Sequence, residues 1–128
     1  MDKKTLKALK GSIQKWHNIC YHNGEDLSAE NCPLCQLFVD EHKWTDCELG
    51  CPVYLEAKDT SCQGTPYSRW SELCAREGYD FTSKTTWRAS TPEKLKAAEK
   101  ELKFLVCLLP EGEEAEMKDG WIWYWEWQ

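Results

Sequence analysis

Four cysteines in two close pairs dominate residues 31–51, NCPLCQLFVDEHKWTDCELGC. Cys32 and Cys35 are spaced C-x2-C, Cys47 and Cys51 C-x3-C, and Cys62 follows eleven residues after Cys51. Two short pairs separated by a loop match a structural zinc site. A C-x2-C turn aims two thiolates at one point and leaves backbone N–H groups free to bond the sulfurs. A second such turn completes a tetrahedron with Zn–S of about 2.3 Å. Residues 45–64 show little hydrophobic periodicity, so something other than apolar burial must order them. A bound ion does this, contributing on the order of 10 kcal/mol to folding in small zinc modules. The expected ligands are four of Cys32, Cys35, Cys47, Cys51 and Cys62. An iron–sulfur cluster is the rival, since Cys32-Pro33 and Cys51-Pro52 suit cluster loops. Zinc needs no assembly machinery and fits a small protein better. His17, spaced H-x2-C from Cys20, and His42, five residues before Cys47, are substitutes for a thiolate. Cys20, Cys74 and Cys107 lie on or beside apolar stripes and read as small buried hydrophobes.

The metal reading assumes reduced thiols. The first twenty residues, MDKKTLKALKGSIQKWHNIC, carry charge but no apolar run of the kind a secretory signal needs. No stretch approaches the roughly 20 apolar residues of a membrane span. The expected compartment is a reducing cytoplasm, where paired cysteines favour metal. Export by another route would instead allow the eight cysteines to form four disulfides.

The length of 128 residues fits one domain, or one domain with a tail. Residues 3–20 read as an amphipathic helix with Leu6, Leu9, Ile13, Trp16 and Cys20 on one face and lysines mostly off it. Gly11 costs such a helix roughly 1 kcal/mol relative to alanine, so packing must hold it. A shorter helix is expected from Ser28 to His42. Thr65-Pro66 is a cap-plus-proline start for PYSRWSELCARE, with Trp70, Leu73 and Cys74 inward. Thr91-Pro92 repeats the signal, and Leu95, Ala98, Leu102, Leu105 and Leu109 form the stripe of a helix closed by Pro110.

Two units follow: a zinc-stabilised helical domain over 1–110, and an acidic linker with a tryptophan-rich strand over 111–128. Glu111, Glu113, Glu114, Glu116 and Asp119 against Lys118 read as a solvated loop, with the basic first helix able to lie against it. Asp119-Gly120 is a turn signal. In a strand, Trp121, Trp123, Trp125 and Trp127 fall at period two and point the same way, and two of them are expected inside the monomer. Residues 53–56 or another molecule are the candidate pairing partners, the latter giving a homodimer. The expected fold is small and mainly α, with three to four helices around a cysteine-ligated, metal-tied loop and a short C-terminal β element.

Several motifs occur in a fixed order: SIQKW at 12–16, NCPLCQLF at 31–38, CPVY at 51–54, CQGTPYSRW at 62–70 and the helix end ELKFLVCLLP. The set resembles an uncharacterised family of short cysteine-rich proteins encoded by bacteriophages and some prokaryotes, over roughly residues 5–110. The resemblance implies roles for Cys32, Cys35, Cys51 and Cys62, with Cys47 a fifth position set apart by its three-residue spacing. It implies a phage or mobile-element source and no particular activity.

A four-thiolate site is coordinatively closed, and H-E-x-x-H, G-x-S-x-G and phosphate-loop motifs are absent from the sequence, so a non-enzymatic role is expected. With 22 acidic and 16 basic side chains the formal charge is −6, which disfavours a nucleic-acid backbone binder. The favoured expectation is an interaction protein in the host cytoplasm, binding and inhibiting a host protein such as a defence component through Trp121, Trp123, Trp125 and Trp127. Alternatives are a zinc module stacking aromatics on single-stranded nucleic acid and an indole-lined pocket for a small ligand.

Overall fold

A computed structural model of the chain describes residues 3–26, 33, 66–77 and 87–124. Three helices and a β-hairpin make up the described architecture: α1 (Lys3–Tyr21), α2 (Pro66–Glu77), α3 (Pro92–Cys107), β1 (Glu114–Glu116) and β2 (Ile122–Tyr124). The mainly helical class and the short C-terminal β element agree with the sequence reading. No described helix is long and apolar enough to cross a membrane.

The helices bury most of the stripes that their periodicity marks out; on α3 the exception is Leu95, which stays partly exposed while Lys94 beside it is buried. On α1, Leu9, Ile13 and Trp16 are buried, with Leu6 and Cys20 packed against the same core at partial exposure. Trp70, Leu73 and Cys74 of α2 are buried, as are Ala98, Leu102 and Leu105 of α3 and Leu109 just beyond it. Trp16 meets the ring edges of Tyr67 and Trp70 at centroid distances of 5.9 and 5.3 Å. Each of the larger buried side chains contributes about 1.5–3 kcal/mol relative to exposure. Thr91 caps α3, its hydroxyl accepting the Lys94 N–H at 3.2 Å, and Pro92 opens the first turn. The three described cysteines, Cys20, Cys74 and Cys107, are not disulfide-bonded; Cys74 is buried and Cys20 half-buried, whereas Cys107 is exposed and departs from the reading of a buried hydrophobe. Burial, reinforced by the Glu99 charge, pushes the Cys20 thiol up to about 12, as suits a thiol packed on a core.

Gly11 has its explanation in residue 33. A Cβ at Gly11 would stand 2.9 Å from Pro33 Cγ, so the bare glycine backbone lets the proline of the first cysteine pair pack on α1. The remainder of the expected helix at Ser28–His42 lies outside the described residues.

A buried charge organises the helical layer. Lys15 Nζ pairs with Asp26 Oδ1 at 2.7 Å, with the two side chains 7% and 0% exposed. The other carboxylate oxygen, Oδ2, accepts the Trp70 indole N–H at 2.9 Å, and the Asp26 backbone N–H reaches the Trp87 carbonyl at 2.8 Å. Lys15 therefore leaves the solvated side that periodicity gives it, because Asp26 supplies an acceptor that sequence spacing does not reveal.

In place of residues 53–56 or a second molecule, the strand partner of β2 is β1, antiparallel, with Glu114 opposite Tyr124, Ala115 opposite Trp123 and Glu116 opposite Ile122. β1 lies within the stretch read from sequence as a linker. Its charge hides a period-two alternation, Glu114-Ala115-Glu116-Met117, that buries Ala115 and Met117 and exposes the glutamates. Ala115, Met117 and Trp123 share one buried cluster with the three helices.

Candidate functional site

The hairpin rests on a second stripe of α1, one that is polar. Lys10, Gln14 and His17 recur at steps of four and three, and all three hold the hairpin. Lys10 Nζ reaches Glu113 Oε2 at 3.2 Å, Gln14 Oε1 accepts the Lys118 backbone N–H at 2.8 Å, and His17 meets Asp119. The Lys10–Glu113 pair is more than a third exposed on both sides and contributes at most about 1 kcal/mol. The geometry of attachment comes from the other two contacts.

The turn between the strands presents Asp119. Gly120 N–H bonds the Met117 carbonyl at 3.0 Å, and Gly120 has φ of 95°, which favours glycine. This is a three-residue hairpin loop closed by a left-handed glycine. Asp119 Oδ1 accepts the Trp121 backbone N–H at 2.8 Å, which orients the carboxylate and leaves Oδ2 facing α1.

The end of α1 presents two imidazoles to that oxygen. Asn23 takes φ of 55°, and the Asn18 carbonyl accepts both the His22 N–H at 2.8 Å and the Gly24 N–H at 2.9 Å, closing the helix end. A Cβ at Gly24 would lie 2.9 Å from the Asn18 carbonyl carbon and the Ile19 nitrogen, so this close return needs glycine. His22, at the closure, turns beside His17, with ring centroids 5.5 Å apart. Both Nε2 atoms stand 2.7 Å from Asp119 Oδ2.

The protons in this cluster follow from one donor. The indole N–H of Trp123 can only donate, and it lies 3.1 Å from His17 Nδ1. His17 Nδ1 is therefore the acceptor, and the neutral ring carries its proton on Nε2, donated to Asp119. His22 likewise donates Nε2–H to the same carboxylate. The hydrogen bond from His17, then that from His22, then the Trp121 N–H hold the Asp119 carboxyl far below the usual carboxylate range, against a smaller opposing effect of desolvation. His17 is 3% exposed and Trp123 4%, whereas His22 opens to solvent. Both ring nitrogens of His17 are hydrogen-bonded, so the cluster attaches the hairpin to α1.

Among the described residues, His17, His22 and Asp119 are the set that could hold a metal ion, with one ligand atom from each within 4.8 Å of the others. His17 thus comes together with His22 and Asp119, a combination that residue spacing does not single out. The sequence signal for it was thin: two histidines five apart, and a carboxylate in an Asp-Gly turn.

Cys32, Cys35, Cys47, Cys51 and Cys62, together with His42, Trp125 and Trp127, lie outside the described residues. Of the tryptophan set, Trp121 and Trp123 are described, with rings 5.6 Å apart, consistent with a shared side of the strand. They differ in depth: Trp123 is in the core, while Trp121, at the turn, is 48% exposed. Tyr21 and Tyr124 are the other large exposed apolar residues described. A cavity of about 290 Å³ is lined, among the described residues, by Gly11, Gln14, Lys15, Asn18, Gly24 and Glu25, none of them an indole.

Comparisons with protein-family models, with curated proteins and with solved structures found no match to this chain.

Proposed function

We propose that this chain is a non-enzymatic interaction protein that engages a protein partner through the hairpin end, its loop region stabilised by zinc on four of Cys32, Cys35, Cys47, Cys51 and Cys62. The observation that carries the reading is the pair of neighbouring indoles. Trp123 is buried and hydrogen-bonded, whereas Trp121 beside it is 48% exposed. One indole fixes the strand and the other is offered on a rigid platform. Tryptophan contributes large contact area at interface centres, and prior rigidity lowers the ordering cost of binding. Tyr21, also exposed, adjoins through His17, at 5.1 Å between centroids.

The motif order that resembles a phage-borne family supports a host protein, such as a defence component, as partner. The formal charge of −6 supports a protein over a nucleic-acid backbone. The test is capture from host lysate with the intact protein and with Trp121→Ala, which touches an exposed residue and leaves Trp123 in place. Loss of the captured partner in the variant, with an unchanged circular dichroism spectrum, is the expected result. Equal recovery would remove the hairpin as the recognition element. Elemental analysis of the purified protein reads zinc against iron, and Cys32→Ser is expected to unfold the centre of the chain.

A further inference from the structure

We propose that His17, His22 and Asp119 form a binding site for a divalent transition-metal ion of the zinc class, separate from the cysteine set, and that occupation of this site competes with the hydrogen bond that anchors Trp123. The proposal stands independently of the interaction role.

The ligand set suits such an ion: two imidazole nitrogens and one carboxylate oxygen, converging from three separately fixed points. His17 Nε2 comes from the interior face of α1. His22 Nε2 comes from the closed helix end that Asn23 and Gly24 define. Asp119 Oδ2 is set by the Trp121 N–H on the other carboxylate oxygen and by Gln14 on the preceding backbone N–H. His17 is 97% buried by its 3% exposure, and its Nε2 points into the cluster. His22 and Asp119 are 47% and 33% exposed, giving an ion a path in and leaving room for a water ligand. Zinc sits about 2.0–2.2 Å from such ligands, so ligand atoms in a tetrahedron stand about 3.3 Å apart. The two N···O separations of 2.7 Å therefore need to open by roughly half an ångström.

The proton balance makes the site a competitor of the Trp123 anchor. Each imidazole carries its proton on Nε2, where the ion must bind. Coordination moves that proton to Nδ1 on each ring, with no net release, while Asp119 is already ionised. The His22 side chain is 47% exposed, so water is at hand to accept its new Nδ1–H. On His17 the new Nδ1–H faces the Trp123 indole N–H, so a donor meets a donor where an acceptor stood. A metal-bound histidine ordinarily donates its second N–H to an acceptor, and Trp123 supplies none. The ion and the His17–Trp123 hydrogen bond thus exclude one another, and the buried indole must shift when the ion binds.

The experiment titrates zinc into the protein as purified and follows the imidazole and indole nitrogens by NMR. The expected result is movement of the His17 and His22 Nε2 signals together with the Trp123 indole N–H, abolished in His22→Ala and Asp119→Asn. Trp123→Phe, which removes the opposing donor and keeps a ring, is expected to bind zinc about tenfold tighter, the effect of one hydrogen bond. Imidazole signals that do not respond, or that respond equally in His22→Ala, overturn the site. Binding by Trp123→Phe that is no tighter overturns the competition. His22 is an exposed residue, so His22→Ala decides the matter even where Trp123→Phe fails to fold.

Discussion

Two carboxylates fasten α1 to the rest of the chain, and they work in opposite surroundings. Asp26 is fully buried and holds Lys15 and the Trp70 indole. Asp119 is one-third exposed and holds His17, His22 and the turn of the hairpin. Each network includes a tryptophan indole N–H, donated to Asp26 directly and to His17 in the Asp119 cluster. In the first, removal of either charged partner takes the main counter-charge from a group whose side chain is nearly or fully buried. In the second, solvent can replace a lost partner, and the ligands can be exchanged. The buried node serves the fold, and the open one is the node that the proposed metal site would use.

The largest expected effect breaks the buried node. Asp26→Ala removes the carboxylate 2.7 Å from the largely buried Lys15 ammonium and should cost about 3–5 kcal/mol in urea unfolding. A loss under 1 kcal/mol would put the two carboxylates in the same class. Gly11→Ala comes next. Alanine favours a helix by roughly 1 kcal/mol over glycine, but the new methyl meets the Pro33 ring at 2.9 Å, and overpacking typically costs about 1–3 kcal/mol. A net loss of stability is expected, and a gain would show that Pro33 yields freely.

The smallest effect concerns the open node and is read through pH. The Asp119 carboxyl is depressed from its ordinary value of 3.8, so its contribution is fully present above that value and is lost only as pH falls below it. Asp119→Asn removes this acid-sensitive contribution. The signal of Trp123 should therefore respond to pH below about 4 in the wild type and lose that component in the variant. Identical acid profiles would count against Asp119 as the fastening group.

Much of the helical layer is legible in local sequence. Thr65-Pro66 and Thr91-Pro92 mark two helix starts because capping and proline geometry act within one turn, and the α1 stripe follows from a period of three to four. Asp119-Gly120 marks the hairpin turn for the same local reason. What escapes is long-range. Lys15 sits on the wrong face for burial until Asp26, eleven residues on, is folded back over it. β1 is three residues long and flanked by glutamates, so charge outweighs its alternation. The union of His17, His22 and Asp119 spans about a hundred residues of chain and rests on a left-handed Asn23 and a tight return at Gly24, neither of which carries a recognised motif. Cys20, by contrast, behaves as its place on an apolar stripe implies.

The claim beneath all of this is that the hairpin lies on α1 with Trp123 inside, hydrogen-bonded to His17, and Trp121 outside. Hydrogen exchange of the two indole N–H groups measures it directly. The Trp123 proton should exchange slowly and the Trp121 proton at the rate of a free indole, with the protection of Trp123 lost in His17→Ala. Equal, rapid exchange of both indoles in the intact protein would contradict it.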